Sequence, residues 1–150
     1  MRTPRSYHHG NLKQALMRAS LDLIRNSGAG AFTLREVARR AGVSHNAPYR
    51  HFRDKEELLA ALAAEGFDRL TAAMAKAAEP ASGALERLRS CGRGYVGFAL
   101  RYPQHFAVMF EVFWQFELYP QTRAAGERAF GTVPNSHSAD RRRYASGRRA

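Results

Sequence analysis

The stretch "AGVSHNAPYRHFRDKEELL", Ala41 to Leu59, decides how the chain is read. It packs Gly42, Ser44, Pro48, the aromatic and basic cluster Tyr49-Arg50-His51-Phe52 and the acidic residues Asp54 and Glu57 into 19 positions. One long helix does not tolerate that punctuation, because glycine and proline both break it. A loop has no need of so regular an apolar pattern. Two helices on either side of a tight glycine turn, followed by the start of a third, satisfy both constraints.

The residues upstream agree. Thr33 and Glu36 stand three apart and predict a capping box, with Phe32 and Val37 placed as the hydrophobic staple around it. The helix so opened, "LREVARRA" (34–41), buries Leu34, Val37, Ala38 and Ala41 and turns Arg35, Arg39 and Arg40 outward. Gly42 ends it and Val43 plugs the turn. Ser44 is placed to cap a short helix through about Phe52. Asp54 and Glu57 predict a second capping box and a helix running to about Ala78, before Pro80, with Leu58, Leu62, Phe67, Leu70 and Met74 inward.

Working outward, Leu12, Leu16, Ala19 and Leu23 give an amphipathic helix from Asn11, closed by Gly28 or Gly30. Residues 82–101 read as a helix with Leu85, Leu88, Tyr95, Val96 and Ala99 inward. Residues 104–116 read as another, with Phe106, Met109, Phe110 and Phe113 on one side, and 121–130 as a weaker one. No segment alternates as a strand, so the expected fold is all-α. The division expected is a basic arm (1–10), a helix-turn-helix domain (11–55), a helical body (56–130) and an Arg-rich tail (131–150) to which no structure is assigned.

Charge separates the head from the body. Residues 1–55 hold 11 Arg or Lys against 3 Asp or Glu, whereas residues 56–140 hold 8 against 10. A basic head on a near-neutral body suits a polyanionic partner, nucleic acid ahead of membrane. The lone Cys91 excludes an internal disulfide and reads as a small buried thiol. No apolar run is long enough for a secretory signal or a membrane span, so the expected location is cytoplasmic. His8 and His9 are adjacent, and no H-E-x-x-H, G-x-S-x-G or P-loop pattern occurs, so no metal, cofactor or enzyme activity is expected.

In a helix-turn-helix the leading residues of the second helix face base edges in the major groove. Here these are His45, Asn46 and Ala47. Asparagine pairs with adenine in two places and alanine meets a thymine methyl. One turn on, Arg50 reaches a guanine edge or a phosphate. Tyr49 and His51 offer donors to phosphate oxygens, while Phe52 belongs to the core. Lys55 opposes the dipole of its own helix, a placement that suits a bound phosphate.

Taken together, Thr33 with Glu36, Ala41-Gly42-Val43-Ser44, Tyr49-x-His51-Phe52 and Lys55-x-Glu57-Leu58-Leu59 resemble the DNA-binding domain of TetR-family regulators over about residues 10–65. Tyr95, Phe98-Ala99, Pro103, Phe106 and Met109-Phe110 are similar to the WHG-type C-terminal subgroup. The resemblance implies an all-helical homodimeric repressor that sets one recognition helix per subunit on a palindromic double-stranded operator and is released by a small apolar effector. It implies base contacts from His45, Asn46, Ala47 and Arg50, and phosphate contacts from Thr33, Tyr49 and Lys55. For the effector it implies Tyr95, Phe98, Phe106, Met109, Phe110, Phe113 and Trp114. An apolar pocket and a core use the same residue types, so both readings of that last set stand. After Phe130 the apolar periodicity ends, where the family continues with two long helices. Weaker dimerisation than the family norm is therefore expected. The alternative is a shortened helical module that binds DNA weakly or pairs only with an intact relative.

Overall fold

The computed structural model describes residues 9–111 and 119–131. They form six α-helices, α1 (His9–Ser27), α2 (Leu34–Ala41), α3 (Lys55–Ala78), α4 (Ala84–Arg101), α5 (Pro103–Glu111) and α6 (Pro120–Gly131), with one 3₁₀ turn at Pro48–Arg50. The described residues contain no strand. The expected Phe113 and Trp114 fall outside them, as do residues 132–150 of the tail.

Helix α2 begins and ends as its sequence dictates. The Thr33 hydroxyl accepts the Glu36 N–H at 3.3 Å, and the Glu36 carboxylate accepts the Thr33 N–H at 2.8 Å. The Thr33 backbone N–H first, and then the Thr33 hydroxyl, donate to the Glu36 carboxylate and hold it below its usual range. At the other end Gly42 adopts φ +69°, donating to Arg39 O while Val43 donates to Ala38 O, the paired bonds of a Schellman ending. Helix α3 opens differently from expectation. Asp54 Oδ1 accepts the Glu57 N–H at 2.8 Å, but the Glu57 carboxylate reaches one residue further back, to the Arg53 N–H at 2.7 Å.

Helix α3 is the axis of the fold, with α4, α5 and α6 packed along it. Two glycines permit the close crossings. A Cβ on Gly66 would stand 2.6 Å from Met109 Sδ, and one on Gly94 would stand 2.8 Å from both Ala73 O and Met74 Cα. Thr122, buried, donates to Ala60 O at 2.8 Å and ties α6 to α3. One continuous apolar core runs from Leu12 and Phe32 through Phe52, Leu58 and Phe67 to Ala125 and Ala129, so head and body share it.

Helix α4 corrects the sequence reading. The face turned to α3 carries Ser90, Gly94 and Phe98, with Cys91 and Tyr95 half-buried beside them. Leu85 and Leu88, expected inward, are exposed, as is Val96; Leu85 is 61% accessible and Leu100 78%. The backbone contact at Gly94 fixes the rotation of the helix, and periodicity alone carries no sign of it. Cys91 is likewise only half-buried.

Where α5 leaves the core, His105 is 5% accessible. Its Nε2 lies 3.6 Å from Glu65 Oε1, beyond hydrogen-bond length, and has no hydrogen-bond partner among the described residues. Arg69 holds the same Glu65 oxygen at 2.6 Å and is the firmer of the two partners. His105 first and then Arg69 lower the Glu65 carboxyl to about 2, against the opposing effect of burial.

Candidate nucleic-acid interface

The surface of interest is built by α2, the turn after Gly42 and the 3₁₀ turn that follows. The expected helix over 44–52 is shorter and tighter than its sequence suggested. Proline has no N–H to give, so Ser44 O accepts instead from Ala47 N at 3.0 Å. Arg50 N then donates to Ala47 O and Phe52 N to Pro48 O. Ala47 keeps helical dihedrals (φ −61°, ψ −41°) although a proline follows, and no side chain caps the turn. Ser44 is therefore not the cap that its position implied. Phe52 and Pro48 are buried and anchor the turn to the core.

This arrangement divides the expected site residues. His45, Asn46, Tyr49 and Arg50 are exposed, Tyr49 at 54%. Ala47 is 8% accessible and sits in the core. Its methyl is packed inward because the tight turn directs it there. Thr33 is exposed, but its hydroxyl is occupied by Glu36, accepting from its N–H and bonding its carboxylate at 3.0 Å. Lys55 donates to Gly30 O at 2.8 Å and stands 5.2 Å over the Phe32 ring, a strut from α3 to the turn before α2. On the outer side of α2, Arg35 and Arg39 are exposed, while Arg40 pairs with Asp22 at 3.3 Å.

The profile of bacterial regulatory proteins of the tetR family matches residues 16–62, the interval that holds α2, both turns and the start of α3. A bacterial regulatory protein in the tetR family from Rhodococcus RHA1 is 27% identical, with a TM-score of 0.67 over 81% of this chain and 66% of that one. Residues 16–62 are a TetR-family N-terminal domain. A protein of unknown function from Rhodococcus sp. RHA1 is 37% identical, with a TM-score of 0.74 over 86% of this chain and 67% of that chain. The tetracycline repressor protein class A from transposon 1721 of Escherichia coli is 48% identical over 48 residues. Those residues are 32% of this chain and only 22% of that repressor.

In the body beyond the TetR-family domain, the aromatic residues expected at an effector pocket pack on one another. Tyr95 meets Phe106 edge-on at 5.6 Å, Phe106 lies 4.8 Å from Phe110, and Phe98 lies 5.5 Å from Tyr102. Phe98 and Met109 are fully in the core, whereas Phe110 is exposed. Among the described residues no group of His, Cys, Asp and Glu is arranged to hold a metal ion. Nor, among them, is any helix long and apolar enough to cross a membrane.

No motif marks the cavity of about 360 Å³ where the two halves meet, lined by Lys13, His51, Phe52, Glu57, Tyr119 and other residues of α3 and α6. Its walls come from positions more than a hundred residues apart, and only the packed fold joins them.

Proposed function

We propose that the chain is a DNA-binding transcriptional regulator of the repressor type, with residues 11–55 as the reading head and 56–130 as the body. The observation that carries this is the exposed group His45, Asn46, Tyr49 and Arg50 on a turn whose Pro48 and Phe52 are buried. Rigid anchoring beneath donors and acceptors that face outward is what base reading requires. His45, Asn46 and Arg50 serve as base readers in this proposal. Tyr49 serves as a phosphate contact, supported by the exposed Arg35 and Arg39. Ala47 is left out because its methyl is inside. Thr33 and Lys55 act first as structural supports, and Lys55 retains N–H groups for a phosphate. Pairing of two chains on a two-fold operator, and release by a small molecule that binds the DNA-free state better, belong to the same proposal.

Selection of bound sequences from a random duplex pool tests it. A two-fold symmetric site with two half-sites about one helical turn apart is the expected result. Recovery of no preferred sequence at any salt concentration overturns it.

The second reading is a helical module that pairs with an intact relative, and one observation supports pairing in either reading. Leu85, Leu88, Val96 and Leu100 form an exposed apolar stripe on the side of α4 away from α3. Sedimentation at micromolar concentration separates the two. Self-dimers support the first reading. Monomers that join a longer relative support the second.

A further inference from the structure

We propose that the cavity between head and body binds a small amphipathic monoanion, an aromatic or aliphatic carboxylate whose charge is taken by Lys13 and whose apolar part lies on Phe52 and Ala61. The site is lined by α1 (Lys13), by the residues just after the 3₁₀ turn (His51, Phe52), by α3 (Ala60, Ala61) and by the entry to α6 (Tyr119). Its volume of about 360 Å³ lies in the usual range for small-molecule sites.

The polar groups around it sort by whether they are already used. Arg53 donates to Asp54 at 3.0 Å, Glu57 accepts from the Arg53 backbone, and Thr122 donates to Ala60 O. Lys13 differs from these. Among the described residues no carboxylate pairs with it, and its ammonium stands 5.8 Å over the Phe52 ring. A cation beside an apolar floor is the recognition pattern for an amphipathic anion.

Burial, and then the charges of Asp54 and Glu56, raise the Tyr119 phenol above its usual range, and its hydroxyl is a second donor in the lining. Of the two cations in the lining, Arg53 is paired with Asp54 and Lys13 has no carboxylate partner among the described residues, so the carboxylate is assigned to Lys13. A second, more open groove of about 620 Å³ shares Lys13, Ala61 and Gln121, but Glu65, Asp68 and Arg69 also line it, so the apolar part of the ligand is placed in the first cavity.

The position links ligand to head. His51 and Phe52 follow directly on Pro48–Arg50, and Tyr119 leads into α6. A molecule seated there touches both and biases their relative orientation. This last step rests on the proposed DNA-binding function; the site itself does not.

The test uses 2-naphthoate as probe and 2-naphthamide as its neutral counterpart, titrated calorimetrically into the full chain without DNA. Naphthoate is expected to bind about tenfold more tightly than the amide, the effect of one charge-assisted bond. Lys13→Gln removes that preference and leaves amide binding unchanged. Ala61→Phe fills the floor and abolishes both, with helicity by circular dichroism unchanged. Equal affinity for the two probes, a preference that survives Lys13→Gln, or no saturable binding overturns the proposal. A chain that takes naphthoate but no duplex keeps the site and removes the regulator function; one that binds duplex but not naphthoate does the reverse.

Discussion

Replacing Glu65 by Gln keeps the size of the side chain and removes its charge, at the point where α3 meets α5. The Glu65 carboxyl lies at about 2 in the fold against an ordinary 4.5. At ~1.4 kcal/mol per pKa unit, that difference favours folding by about 3 kcal/mol at neutral pH. Arg69 is nearly half exposed, so solvent screening reduces the expected effect to about 2 kcal/mol. The sign follows from the lowered folded value. The contribution is fully present above the unfolded carboxyl value of 4.5 and is lost as pH falls from there toward 2. Urea unfolding at fixed protein concentration is the assay. At pH 7 the Glu65→Gln chain is expected to be less stable by about 2 kcal/mol, and by pH 3 about half of that gap closes. A variant as stable as the parent at pH 7, or a gap that widens on acidification, refutes the assignment of Glu65 as a charged tie among His105, Arg69 and α3.

Two glycines of α4 make a matched pair. Gly94→Ala places a methyl 2.8 Å from the backbone of Ala73 and Met74, which cannot yield as a side chain would, so urea midpoints are expected to drop by an amount worth about 1–3 kcal/mol. Gly92→Ala meets nothing within 4 Å and is expected to stabilise by up to about 1 kcal/mol through helix propensity alone; equal effects at both positions contradict the packing described. Thr33→Ala removes the acceptor for the Glu36 N–H and is expected to cost about 1 kcal/mol in the same assay, and a loss below measurement error would show that the box at α2 is not formed in solution.

Much of this fold was legible in the sequence wherever the signal was local. Thr33, Glu36 and Gly42 marked the ends of α2, and Asp54 with Pro80 bracketed α3, because caps and breakers act on their own neighbours. Readings failed where a distant contact decides. The rotation of α4 is set by Gly94 against Ala73, and its apolar stripe of Leu85, Leu88 and Val96 pointed to the wrong face. The motif places Ala47 at the surface, but Pro48 tightens the turn and carries the methyl inside. Lys55 looked free for a phosphate, while its bond to Gly30 depends on how the turn before α2 folds back. The cavity beneath Lys13 and Tyr119 had no sequence signature, since neither residue belongs to a motif and only tertiary packing brings them together.

The claim on which the rest depends is that the turn from His45 to Arg50 reads bases. The most direct measurement repeats the random-pool selection with Asn46→Ala and with Tyr49→Phe beside the parent chain. Base preference is expected to change at one position of each half-site for Asn46→Ala, and Tyr49→Phe is expected to weaken binding to all sequences alike. An Asn46→Ala chain that selects the parent's sequence unchanged contradicts the account.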